Sequence, residues 1–172
     1  MPTIYTIGHS TQRVEALLDA LLQHEIASLW DIRRYPASRR NPQYNSAALA
    51  RSLADAGIDY RHVPDLGGRR EPASDSINTG LRDEGFRGFA DYESTALFTE
   101  ALDILIEATM LRRTVIMCAE AVPWRCHRSL ISDALLARDV PVRHIIGATT
   151  KAHTLPPHAH VDAGRVTYPS LI

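Results

Sequence analysis

Strand-like and helix-like apolar patterns take turns along this chain, and that alternation leaves few architectures open. Residues 3–7 are β-branched and aromatic, as a strand requires. Val14, Leu17, Leu18, Leu21 and Leu22 then recur at helical spacing. Strand-like runs return at 27–32, 59–63, 114–118 and 142–146. Helical patterns lie between them, through Leu49 and Leu53, through Phe98, Leu102 and Leu105, and through Leu130, Ile131 and Leu135. Ser10 or Thr11 is placed to cap the first helix, and Asn45 or Ser46 the second. Gly57 stands where the second helix must stop in a left-handed residue. The pattern predicts an α/β fold with a doubly wound, mainly parallel five-stranded sheet and helices on both faces. The expected strand order is 3-2-1-4-5, with the chain reversing direction between the first and fourth strands. Ligands in such sheets bind at the carboxyl ends of the strands, at that switch point.

A length of 172 residues suits one domain spanning 1–172, with an irregular tail over 147–172 and a small hairpin within 161–168. Residues 64–88 form a long, polar, glycine-rich connection. No run approaches the length of an apolar membrane span, and the first ten residues lack the regions of a signal peptide. Two cysteines in this length fit a reducing, cytoplasmic compartment. A net charge of -1 excludes a wholly basic coat for nucleic acid. Yet 18 of the 19 basic residues are arginine, and Lys151 is the one lysine. Genome composition accounts for many of them. Guanidinium also grips carboxylate and phosphate bidentately, so position has to decide.

Position gathers many of them at one edge. Ser10 follows the first strand. Arg33, Arg34, Ser38, Arg39 and Arg40 follow the second, and Gly67, Gly68, Arg69 and Arg70 the third. With Arg128, these are the candidate anion-binding residues. Tyr35 and Tyr44 flank the arginine cluster, where they can stack on a base. Glycines 67 and 68 let backbone N–H groups approach an anion closely.

The fourth strand ends in Cys118 and Glu120, and Cys126, His127 and Arg128 follow. Cys126 and His127 precede Leu130 and Ile131 by four residues, which turns them toward the sheet at a helix's first turn. A helix N-terminus and a nearby arginine lower a thiol pKa, so Cys126 is the expected reactive thiol. The same field favours neutral imidazole at His127. Glu120 is placed to orient His127 or His9, or to act as a general base. His9, Glu120, Cys126 and His127 are the candidate catalytic groups. Cys118 suits a small apolar core residue equally well, and Cys118 with Cys126 is a candidate redox or metal pair.

Standard templates do not fit. Neither cysteine has an arginine six residues on, as a phosphatase-type loop needs. There is no C-x-x-C, no common zinc spacing, no dinucleotide fingerprint and no P-loop. His153, His158 and His160 in the tail suit a solvated segment better than a metal site.

Read in order, these segments resemble the domain of unknown function 488 family (DUF488). The resemblance rests on Thr6-Ile7-Gly8-His9-Ser10, on the run from Asp31 through Arg33-Arg34-Tyr35-Pro36 to Arg40, and on Leu66-Gly67-Gly68-Arg69-Arg70. Met117-Cys118-Ala119-Glu120, Cys126-His127-Arg128, Val142-Arg143-His144-Ile145 and Thr167-Tyr168-Pro169 continue it. Tyr35 stands where the family more often has Phe, and residues 72–87 carry no matching motif. The resemblance implies one composite site and assigns it no activity.

The expected function is an enzyme acting on an anionic, phosphate-bearing substrate, either a nucleotide or nucleic acid. A non-catalytic nucleic-acid binding module is one alternative. A metal-binding protein, holding iron or zinc on the Cys/His/Glu set, is another. No cofactor, membrane partner or oligomeric state is specified by these residues.

Overall fold

Side chains alternate across each strand, so a strand covered on both faces must be apolar throughout. In the computed structural model, which describes residues 2–170, the described residues form five α-helices and eight strands. The chain runs β1 (Ile4–Gly8), α1 (Val14–Gln23), β2 (Ser28–Asp31), α2 (Ser46–Asp55), β3 (Asp59–His62), α3 (Glu84–Tyr92) and α4 (Ala96–Leu111). β4 (Thr114–Cys118), α5 (Arg128–Leu136), β5 (Val142–Ile146), β6 (Thr149–Ala152), β7 (His160–Asp162) and β8 (Arg165–Thr167) follow. On one face, Leu17, Leu21, Leu49 and Leu53 of α1 and α2 pack on Ile7, Leu29, Val115 and Met117. On the other, Phe89, Phe98, Leu102 and Leu130 of α3, α4 and α5 pack on Ile4, Trp30 and Ile116. The fold is α/β, as expected.

The sheet has six strands in the order β3-β2-β4-β1-β5-β6, not five in the order 3-2-1-4-5. β4 is buried at every residue and pairs with β1 on one side and β2 on the other, which is the place for the most apolar strand. β1 therefore connects to β2 by skipping one position. The expected crevice survives this correction. β1 and β4 are neighbours, with Gly8 opposite Cys118, and the helices after them lie on opposite faces.

Three local expectations also change. The tail is not irregular from Gly147, because β6 pairs antiparallel with β5 and β7 with β8. The last pair is the hairpin expected within 161–168. Residues 84–88, read as connection, belong to α3, whose Asp83 cap accepts from the Phe86 N–H at 2.9 Å. α1 begins at Val14 without a side-chain cap, while Ser10 sits in a left-handed turn (φ 50°). Gly57 is left-handed, as anticipated (φ 76°). No helix among the described residues is long and apolar enough to cross a membrane.

Candidate active site at the carboxyl edge of the sheet

The loops after β1 and β4 are laced together above the sheet. His9 N–H donates to the Cys118 carbonyl at 2.9 Å, and Ser10 N–H to that of Ala119 at 2.8 Å. Gly8 makes this approach possible. A Cβ there would overlap the Glu120 carbonyl oxygen and stand 2.7 Å from Arg128 Nη1. Past that crossing the β4 loop makes one 3-10 turn, Pro123–Arg125, reaches Cys126 and enters α5.

Arg128, the first residue of α5, is 0% exposed. Its guanidinium donates to the Glu120 carbonyl at 2.7 Å, the Ala121 carbonyl at 3.1 Å, Thr6 Oγ1 at 3.2 Å and Cys118 Sγ at 2.8 Å. Among the described residues, no carboxylate lies within ion-pairing distance of it. Arg33 offers the contrast. It too is buried, but Asp31 grips it through both carboxylate oxygens at 2.7 and 2.8 Å. A buried cation without an anion is costly. Cys118 is the one contact of the Arg128 guanidinium that can ionise, and as thiolate it balances the charge.

The thiols are tuned accordingly. Burial alone opposes a charged Cys118. The S–H of Cys126, donated at 2.7 Å, and the Arg128 charge outweigh it and bring Cys118 down to about 7. Cys126 moves the opposite way. Its proton is held by Cys118, and burial pushes it further up. The lowered thiol pKa expected at Cys126 is therefore not what this geometry produces. Cys126 lies two residues ahead of α5, and the arginine that matters touches Cys118 instead.

The two histidines are neutral members of the wall. His127 Nε2–H donates to the Leu66 carbonyl at 3.0 Å, which leaves Nδ1 facing Cys126 Sγ at 3.4 Å. Burial pulls its pKa down to about 4. Gly68 packs flat on the ring, where a Cβ would come within 3.0 Å of Nδ1. His9 donates from Nδ1 to the Ser10 carbonyl at 2.7 Å and accepts at Nε2 from Arg33 at 3.3 Å. It also stacks on Tyr44 at 4.2 Å, and burial lowers its pKa. Both nitrogens of His9 are thus engaged.

A cavity of about 710 Å³ opens over these groups. His9, Cys118, Cys126 and His127 line its inner part. Ser10, Arg33, Arg34, Ser38, Gly68, Arg69 and Glu120 also reach it. Glu120 is exposed on the rim. Arg34 spends one arm on the Arg69 carbonyl at 2.7 Å. The Arg69 and Arg125 guanidinia make no hydrogen bond or ion pair among the described residues, while Asp83 shares the lining. Tyr35, 61% exposed, lies beneath Arg34 and Arg69 at 5.5 and 5.7 Å.

Five predicted residues fall outside that lining. Arg39 and Arg40 are exposed beyond it. Gly67 is buried against Arg34. Arg70 lies over the Tyr92 ring at 3.9 Å and donates to the carbonyls of Gly67 and Pro64. Arg128 sits under the floor rather than on it.

Sequence reasoning missed the network behind Arg128. Thr6 Oγ1 meets His144 Nδ1 at 2.5 Å, and His144 Nε2 meets His153 Nδ1 at 2.8 Å. His153 Nε2 meets Asp133 at 2.6 Å, whose other oxygen accepts from Tyr168 Oη at 2.6 Å. His153 is therefore not part of a solvated tail. The available signal was a polar residue at an inward strand position, Thr6 after Ile4 and His144 after Val142. The network borders a second, mostly apolar cavity of about 360 Å³, where Trp124 also lies.

Among the described residues, no three His, Cys, Asp or Glu side chains stand together as a metal site needs. The position against Cys118 that a cation would take already holds a guanidinium.

The family model for the domain of unknown function DUF488 matches residues 13–135. No match was found among curated proteins or among solved structures.

Proposed function

The chain belongs to the DUF488 family, and on that footing we propose an enzyme that uses Cys118 on an anionic, phosphate-bearing substrate, either a nucleotide or nucleic acid. The observation that carries this reading is the buried Cys118–Arg128 contact at the floor of a cavity rimmed by unpartnered arginines. A thiolate is the nucleophilic form of cysteine. Arg69 and Arg125 supply free guanidinia for phosphate oxygens, and Tyr35 supplies a face for a base. The Glu120 carboxylate on the rim is positioned as a general base for an incoming water or hydroxyl. His127 and His9, held neutral, add no charge of their own to the inner wall.

The test is binding of adenosine monophosphate to the protein and to Arg69→Ala/Arg125→Ala. Loss of two charge-assisted contacts should weaken binding by roughly ten-fold or more. Unchanged affinity would sink the reading.

A nucleic-acid module without chemistry is the second reading, favoured by Tyr35 exposed beneath two arginines. It expects oligonucleotide binding that falls steeply with salt and full function in Cys118→Ser.

A further inference from the structure

We infer that Cys118 and Cys126 form a reversible dithiol–disulfide couple, in which Cys118 attacks and Cys126 resolves. This rests on the same Cys118–Arg128 pairing as the proposed function.

The sulfurs stand 2.7 Å apart, both buried, and both line the edge cavity. Cys118 closes β4 while Cys126 ends the loop that follows, so each is held by its own backbone segment. A low-molecular-weight disulfide, RS–SR, is the oxidant. The Cys118 thiolate attacks one of its sulfurs, the S–S bond of RS–SR breaks, and RS⁻ leaves from a Cys118–S–SR mixed disulfide. That step removes the negative charge from Cys118 and leaves Arg128 unbalanced. Cys126 is the next sulfur in reach of the cation, and already accepts from the Arg128 backbone N–H at 3.5 Å. The Cys126 proton passes to the departing RS⁻, which leaves as RSH. The new Cys126 thiolate attacks Cys118 Sγ, forms the intramolecular disulfide and expels the second RS⁻. The protein loses two electrons and the small disulfide gains them.

The charge balance sets the poise of this couple. A disulfide normally stabilises a fold by restricting the unfolded chain. Here oxidation leaves a wholly buried guanidinium without an anion, which costs more than so short a loop returns. The reduced form is favoured, and the couple is an oxidising one.

Oxidised glutathione is the probe, read by intact mass, thiolate absorbance and urea unfolding. Wild type should lose both free thiols and retain no glutathione. Cys126→Ser should hold one glutathione on Cys118, and Cys118→Ser should react roughly ten-fold more slowly. The oxidised protein should unfold at lower urea than the reduced. Glutathione retained on wild type beside a free thiol would overturn the couple. Equal rates in the two serine variants, or an oxidised form more stable than the reduced, would overturn it too. Thiolate absorbance at neutral pH without any disulfide would refute the couple and leave the proposed function standing. Absence of that absorbance would refute both.

Discussion

Arg128 and Arg33 are both buried arginines of one edge, and they differ in what answers their charge. Arg33 has the Asp31 carboxylate, the Tyr44 carbonyl and His9 around it. Arg128 has three neutral oxygens and a sulfur. Arg128 is thus a positioning residue that acts through Cys118. Arg128→Met keeps an unbranched stem that can fill part of the space and removes the charge. Breaking a buried pair in this way should cost about 3–5 kcal/mol, tempered by protonation of the released thiol. Urea unfolding reads that loss. Alkylation of Cys118 at neutral pH should slow at the same time, which a purely structural role would not require. Arginine count says little about any of this, because Arg128 is buried against Cys118 while Arg39 and Arg40 are exposed outside the cavity.

At the scale of elements, the site depends on how closely the β4 loop crosses the end of β1. Gly8 permits the crossing, and Gly8→Ala places a methyl group on the Glu120 carbonyl. Overpacking of that kind should cost about 1–3 kcal/mol. The displaced loop carries two of the carbonyl acceptors of Arg128, so Cys118 alkylation should fall in Gly8→Ala as well. A thermal or urea midpoint equal to wild type would show that the crossing bears no strain. Long amphipathic patterns such as those of α1 and α4 are legible in sequence, because their apolar stripes are set by burial on one face. α3 is not legible. Its nine residues carry two glycines, and its helix depends on the Asp83 cap and on Phe89 seated in the core. The boundary of α5 likewise depends on the turn at Pro123, so Cys126 lies two residues ahead of the helix rather than in its first turn.

At the scale of the molecule, local periodicity fixes how many elements there are, while strand order is set by pairing at a distance. The central place of β4 follows from burial on both faces, which its sequence hints at through an apolar run. That β1 skips over it to reach β2 has no local signature. The gathering of His9, Arg33, Gly68, Cys118 and His127 at one edge was legible, because every parallel strand delivers its loop to the same side. Which groups then pair was not legible, since the partners Thr6, Asp133, His144 and His153 come from distant strands and helices. The same edge therefore offers both the anion rim and the thiol floor.

If Cys118 is the counter-ion of Arg128, its thiolate must form near neutral pH. Titrating thiolate absorbance in Cys126→Ser tests it, since the serine hydroxyl still donates to Cys118 and only one thiol remains. Cys118 lies below its ordinary value of 9.0, at about 7. The absorbance should accordingly rise through a midpoint near 7 and shift toward 9 when Arg128→Met is added. A midpoint at or above 9 in the Arg128-containing protein would contradict the account.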